Sequence, residues 1–287
     1  MKTIKKILVS VLAVSLIATC FAACSNGGEA TEAKVKVIDI ELSNEEYAFG
    51  VDKTQPELLE DVNAFIKEIK ENGQFEEVCN RYFGDGEPVA VTSAAEDASK
   101  DQLIVATNAE FEPFEYKKGD SFYGIDMEIA KMLADKLGKE LVIKDMNFDS
   151  VVTSVQQKKC DIAMAGLTVS EERAEMVNFT DSYYSASQKL IVKGDDTTFD
   201  NCKTKEDVEA ILNGFDSTVN IGGQNGTTGQ SYVEGSEGLG FAGLKATFVG
   251  YSNGSLAVQD LINGGVNYVI IDAAPAAAIT TAINAVA

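Results

Sequence analysis

The chain has 287 residues, with 24 basic and 45 acidic side chains, no histidine and a net charge of −21. Such an excess of acid repels nucleic acid and anionic membrane surfaces, so neither is expected to bind it directly. The missing histidine weighs against Ser-His and Cys-His catalysis, His-ligated zinc and His-mediated proton transfer; no metal or cofactor is expected.

Residues 1–23 read as a secretory signal. Lys2, Lys5 and Lys6 precede the apolar run "ILVSVLAVSLIATCFAA", which closes on small residues. The run is also about long enough to span a bilayer, so an uncleaved anchor is the alternative. "FAACSN" resembles a lipobox, with Cys24 as the lipid attachment point; Cys20, preceded by Thr19, is the rival, and Phe21 stands where Leu is usual. Residues 24–33 suit a flexible tether. Cleavage would remove three lysines and no acids, leaving 21 basic and 45 acidic side chains, a net −24.

Residues 56–72, "PELLEDVNAFIKEIKEN", spell a helix. Pro56 suits its first position, Gly73 its end, and Leu58, Leu59, Val62, Phe65, Ile66 and Ile69 fall on one face. The short amphipathic "QFEEVCNRYFG" then closes at Gly84, as if the chain were finishing. Residues 85–100 are acidic and small without an apolar period, and read as a linker. Beyond them strands and helices alternate: "LIVATN" a strand, "GIDMEIAKMLADKLGK" a helix, "ELVIKDM" a strand, "DSVVTSVQQ" a helix, "CDIAMAG" a strand. "STVNIGG" is a strand, "QNGTTGQSYVEG" a turn into a helix, "SLAVQDLING" a helix, "VNYVIID" a strand and "APAAAITTAINAVA" a helix. Residues 203–218 have no firm assignment. The alternation predicts an α/β fold with mostly parallel sheets. Cys79, Cys160 and Cys202 form no CxxC pair; Cys160 reads as a buried thiol, and any disulfide among the three stays open.

In α/β folds ligands bind beyond the carboxyl ends of parallel strands, and four such ends carry chemistry. "ATNAEFEPFEY" delivers Asn108 and Phe111. "MAGLTVSEER" delivers Ala165, Gly166, Thr168 and Arg173, although Thr168 and Glu171 also have capping-box spacing and Arg173 could be a surface residue. "GGQNGTTG" brings Gln224, Thr227 and Thr228; it lacks the lysine of a P-loop and suits a carboxylate better than a phosphate. "VIIDAAP" ends on Asp272, which wants a cation or N–H donors, or else caps the next helix. Arg173 with the threonine donors suits a carboxylate, Asp272 an ammonium, and Phe111 and Phe148 a side chain held between two rings. Together they describe a zwitterionic α-amino acid.

These motifs resemble the type 3 extracellular solute-binding proteins of polar amino acid ABC transporters. "GIDMEIAKMLADKL", "MAGLTVSEER", "VNFTDSYY", "GTTG" and "NYVIIDAAPA" match that family in order. The resemblance implies a two-lobed, periplasmic-binding-protein-like fold of type II with two hinge crossings, no enzymatic activity, and a monomer. It implies that an amino acid is buried between closing lobes and handed to a permease, the chain being lipid-anchored outside the cytoplasmic membrane. By resemblance Arg173, Thr168, Thr227 and Thr228 hold the α-carboxylate, and Asp272 with the backbone near Gly166 the α-ammonium. Phe111 and Phe148 sandwich the side chain, with Asn108 and Gln224 near its tip. Asn108 in place of an acid, and apolar Ile271 beside Asp272, favour a polar, uncharged side chain. A cyclohexadienyl-dehydratase-like enzyme and an amino acid sensor on the same scaffold are the alternatives.

The order of segments departs from that family. The strand "KVIDIEL", the return hinge, the helix at 56–72 and the "FEEVCNRYFG" turn ordinarily come last; here they come first. The expectation is a circular permutation, with 85–100 joining the old ends. Lobe 2 is then 34–42 and 188–287, the hinges are 43–47 and 183–187, and lobe 1 is 48–182.

Overall fold

The computed structural model describes residues 33–286. The signal and lipid-attachment expectations, with Cys20 and Cys24, lie outside those residues. The chain opens with strand β1 (Val35–Ile38), passes through β2 (Glu45–Tyr47) and enters a different sheet at β3 (Gly50–Val51). Helices α1 (Pro56–Glu71) and α2 (Gln74–Phe83) follow, then β4 (Gln102–Thr107) and the small sheet of β5 (Glu110–Phe111), β6 (Glu115–Lys118) and β7 (Ser121–Tyr123). Next come α3 (Ile125–Leu137), β8 (Glu140–Asp145), α4 (Phe148–Gln156), β9 (Ile162–Ala163), α5 (Glu171–Met176) and β10 (Asn178–Phe179). The chain returns through β11 (Tyr184–Ala186) to β12 (Gln188–Lys193), α6 (Lys205–Leu212), β13 (Asn220–Gln224) and α7 (Thr228–Glu234). It ends with β14 (Thr247–Tyr251), α8 (Gly254–Asn263), β15 (Tyr268–Asp272) and α9 (Ala273–Asn284).

Two five-stranded sheets result, ordered β1-β12-β15-β13-β14 and β10-β3-β9-β4-β8. They are mixed rather than mostly parallel. The pairs β13–β14, β13–β15, β4–β8 and β4–β9 are parallel, as alternating strands and helices require. The pairs β1–β12, β12–β15, β3–β9 and β10–β3 are antiparallel, because β1, β3, β10 and β12 lie next to the crossings, where the chain runs back. The crossing strands β2 and β11 pair with each other, Tyr47 opposite Tyr184 and Glu45 opposite Ala186. Side chains alternate along a strand, so Glu45 and Tyr47 share the buried face of β2 while Glu46 points to solvent.

Helix α1 turns Leu58, Val62, Phe65, Ile66 and Ile69 inward, each worth roughly 1.5–3 kcal/mol on burial. Its partner α2 lies against α3. The Tyr82 hydroxyl donates to Glu128 Oε1 at 2.6 Å and accepts from the Gly124 N–H at 2.9 Å, while Arg81 pairs with the same carboxylate.

Residues 85–100 form a strap tied along one side of the second sheet. The Val89 N–H donates to Glu128 Oε1 (3.0 Å), Val91 exchanges both backbone hydrogen bonds with Phe122, and the Ala94 N–H donates to the Leu141 carbonyl (2.8 Å). Ser93 Oγ accepts from the Ile143 N–H at 2.8 Å. Leu141 and Ile143 belong to β8, the outer strand of its sheet, so the strap covers an otherwise free edge. Composition could not show this, since Val91 is its one buried side chain. Residues 203–218 contain α6, opened by a capping box of Thr204 and Asp207. Cys79, Cys160 and Cys202 are free thiols.

Candidate functional site

The carboxyl ends of β4, β9, β13 and β15 bring Asn108, Ala165, Gly166, Thr168, Gln224, Thr227, Thr228 and Asp272 into the interior, all buried. Phe111 is buried too, whereas Phe148 and Arg173 are half-buried. Several contacts cross between the elements of the two sheets. Gln224 Nε2 donates to Asn108 Oδ1 at 2.7 Å, an Arg173 terminal nitrogen donates to the Gly226 carbonyl at 3.0 Å, and Asn253 Nδ2 donates to Glu110 Oε2 at 2.8 Å.

Arg173 is the cationic pole. One terminal nitrogen donates to the Thr168 carbonyl at 2.8 Å, and the guanidinium lies 5.3 Å from the centroid of the Phe148 ring. Both hydrogen-bond partners are neutral carbonyls, so the charge has no carboxylate of its own among the described residues. Desolvation pulls its pKa below the ordinary arginine value, and the fields of Asp272 and Glu45 oppose that. It stays a cation at any physiological pH.

Asp272 is the anionic pole. It is the last residue of β15 and stands at the N-cap position of α9, but makes no capping bond. Its Oδ1 instead accepts from the Tyr47 hydroxyl at 2.6 Å. Burial, then the field of Glu45, pushes its carboxyl up to about 7. Thr168 is likewise not a cap: Ser170 caps α5, its Oγ accepting from the Arg173 N–H at 3.2 Å.

Four important side chains were missed in the sequence. Glu45, on the crossing strand, accepts from the hydroxyls of Ser43 (2.5 Å) and Thr168 (2.6 Å) and from Gln188 Nε2 (3.1 Å). The single hydroxyl proton of Thr168 is thus engaged by Glu45, leaving Arg173 as the stronger carboxylate donor here. Tyr47 joins the same strand to Asp272. Asp126 accepts from the Gly166 N–H (3.0 Å) and the Tyr183 hydroxyl (2.7 Å), and burial pushes it up to about 7. Glu115 is fully enclosed, and neither of its oxygens has a partner. A lone acid between Phe114 and Tyr116 is the signal that could have flagged it.

The two expected sandwich rings occupy different surroundings. Phe148 faces Arg173; Phe111 packs against Phe114 (centroids 6.1 Å) and beside Gly166. Gly166 has φ +53°, and a Cβ there would come within 3.0 Å of the Phe111 ring and 3.3 Å of Tyr47. The Thr227 hydroxyl donates to the Gln224 carbonyl at 2.8 Å. The site therefore separates an unpaired cation from an unpaired, buried acid, with polar amides and rings between strand ends. Among the described residues no cluster of metal-binding side chains occurs, and no helix is long and apolar enough to cross a membrane.

The profile of the bacterial extracellular solute-binding proteins, family 3, matches residues 103–269, and the chain belongs to that family. The arginine-binding extracellular protein ArtP of Bacillus subtilis (strain 168) is 39% identical over 104 residues, covering 36% of this chain and 41% of its own length. The chain thus spans about two fifths of that relative. Among solved structures, an ancestral arginine-binding protein bound to glutamine is 31% identical with a TM-score of 0.52, over 64% of this chain and 74% of its own. The ancestral amino acid-binding protein AncCDT-1, described as a precursor of cyclohexadienyl dehydratase, is 28% identical with a TM-score of 0.53, over 73% and 78%. The fold is that of these amino acid-binding proteins.

Proposed function

We propose that the chain captures a free amino acid between its two sheet-centred halves and delivers it to the permease of an ABC transporter. What carries the reading is the pairing of Arg173, a cation without a carboxylate, with Asp272, a buried acid without a cation. A zwitterion supplies both missing partners at once. In this reading Arg173 and Thr228 hold the α-carboxylate beside Thr168 and Thr227, whose hydroxyl protons are engaged by Glu45 and the Gln224 carbonyl, and Asp272 with the backbone at Ala165 and Gly166 holds the α-ammonium. Phe111 and Phe148 flank the side chain, and Asn108 and Gln224 close over it. The relatives' ligands, arginine and glutamine among them, support an amino acid. Closure follows because such a ligand contacts both halves and so favours the state in which they meet. The chain acts as a monomeric receptor, lipid-anchored through Cys24 outside the cytoplasmic membrane.

We also infer a circular permutation, in which lobe 2 comprises 34–42 and 188–287, lobe 1 comprises 48–182, and 43–47 and 183–187 are hinges. Its supports are the pairing of β1 with β12 and of β2 with β11, and the family match, which begins only at residue 103. The start of β1 also touches the end of α9: the Lys34 N–H donates to Asn284 Oδ1 at 2.9 Å, and Asn284 Nδ2 to the Val35 carbonyl at 2.8 Å.

Thermal melts with each of the twenty amino acids test the receptor reading. A preferred ligand raises Tm, and Arg173→Ala removes the rise; no shift with any amino acid would end it. A dehydratase-like enzyme is the second reading, favoured by AncCDT-1 and by Asp126 and Asp272 titrating near 7, where a general acid works well. Turnover of a cyclohexadienyl compound by the purified chain would establish it.

A further inference from the structure

Between α7 and β14 the chain folds back on itself as a hairpin. Ser236 and Phe241 pair antiparallel and exchange both backbone hydrogen bonds (2.9 and 2.8 Å). In the turn they close, residues 237–240, the Gly240 N–H donates to the Glu237 carbonyl (3.1 Å) and the Leu239 N–H to Ser236 Oγ (3.3 Å). At the base the Leu244 N–H donates to the Val233 carbonyl (2.7 Å), and the Phe241 ring meets Tyr232 edge-on, centroids 5.1 Å apart.

The hairpin stands between two cavities. On one side a space of about 1190 Å³ reaches Phe148, Arg173, Thr227 and Thr228 and is rimmed by residues 236–239. On the other, a space of about 790 Å³ is bounded by Thr168, Tyr232 and residues 239–244. Half-buried Leu239 borders both. Among the described residues no hydrogen bond joins 236–243 to another element. The tip instead rests on the opposite half at one point: a Cβ on Gly238 would lie 3.5 Å from the Cβ of Glu171, the first residue of α5. Two glycines in the left-handed region, Gly235 (φ +95°) and Gly243 (φ +76°), flank the hairpin, and a Cβ on Gly243 would come within 2.9 Å of the Glu234 backbone. Glycine turns there without the strain another residue would add, and such positions serve as pivots. With open space on both faces, two glycines at its root and a van der Waals contact at its tip, the hairpin is free to swing as a unit.

We propose that residues 235–244 are a flap that gates amino acid exchange. Seated on Glu171, it closes the path from solvent to Arg173. Turned at Gly235 and Gly243, it opens that path without separating the two sheet-centred halves. The inference rests on the amino acid reading, in which Arg173 meets the α-carboxylate. It adds a second barrier to that reading: the halves meet to bridge the ligand, and the flap seats to retain it.

A pair of cysteines tests the contact and the gate together. Glu171→Cys with Gly238→Cys places two Cβ atoms 3.5 Å apart, at the short end of the disulfide range. Oxidised wild-type protein controls for the free thiols Cys79, Cys160 and Cys202. After loading, release is followed for radiolabelled L-arginine, L-glutamine and whichever of the twenty amino acids raises Tm most. Oxidising the loaded double variant should slow release at least about tenfold, and reduction should restore the wild-type rate. Deleting Gly238 and Leu239 leaves a two-residue turn, a length that still closes a hairpin, but no tip to reach Glu171. That protein should release the amino acid at least about tenfold faster than wild type, with the ligand-free melting transition unchanged. Failure of the disulfide to form, equal release before and after oxidation, or wild-type release from the shortened hairpin would each overturn the flap. The last of these separates the flap from the meeting of the halves, which the deletion leaves intact. Wild-type protein that binds none of the twenty amino acids, while the disulfide still forms, would overturn the receptor reading and the gating role with it.

Discussion

Asp272→Asn should separate stability from binding, in a way that depends on pH. In the folded chain Asp272 titrates at about 7 against an ordinary 3.8. At about 1.4 kcal/mol per pH unit, keeping it ionised when folded costs up to about 4 kcal/mol at pH 8. The sign follows from linkage: between 3.8 and 7 the folded state binds the proton that the unfolded state has lost, so stability falls as pH rises through that window. Below pH 4 both states are protonated and the penalty vanishes. The ligand-free Asp272→Asn protein should therefore match the wild type near pH 4 and exceed it by on the order of 2–4 kcal/mol at pH 8. Asparagine can still accept from Tyr47, which keeps the 2.6 Å contact available. Urea denaturation from pH 4 to pH 8 reads the gap. A gap that stays flat with pH, or an asparagine variant less stable at pH 8, would rule out a raised Asp272 carboxyl in the folded chain. The same variant should lose amino acid binding, because the α-ammonium no longer meets a carboxylate.

Other substitutions probe separate parts of the structure. Arg173→Ala should weaken amino acid binding by about 3 kcal/mol or more in calorimetry, over 100-fold, and Arg173→Lys should not restore it, because a lysine cannot repeat the planar fork. Gly166→Ala should cost roughly 1–2 kcal/mol for the left-handed backbone, plus the displacement of Phe111, read as a lowered urea midpoint. Val91→Ala should cost roughly 1–3 kcal/mol and speed hydrogen exchange at the Val91 and Ala94 amides, because Val91 anchors the strap along β8.

The frame of this site was legible because α/β chemistry collects at strand ends. Asn108, Thr168, Gln224 and Asp272 each stand just past or at the end of an apolar run, and a charge or amide there asks for a partner. Arg173 and Asp272 could be read as the two poles of a zwitterion from residue type alone. What was illegible depends on tertiary contact. Glu45 and Tyr47 sit in "NEEYAF", where nothing local says that one face of a crossing strand reaches both Thr168 and Asp272. Glu115 and Asp126 look like surface acids until β6 and α3 fold them inward. The strap at 85–100 lacks an apolar period because its hold comes from backbone hydrogen bonds along β8, which side-chain patterns do not encode. The parallel pairs followed from alternating elements; the antiparallel ones arise at the crossings, whose partners are distant in sequence.

Whether the chain is an amino acid receptor is decided by thermal melting of the ligand-free protein with each of the twenty amino acids. For a ligand present at 100 times its Kd, binding adds about 2.7 kcal/mol, which for a chain of this size raises Tm by roughly 5 °C. A rise of that order is expected for at least one amino acid, and it should disappear in Arg173→Ala. Twenty unchanged melting curves for the wild-type protein would contradict it.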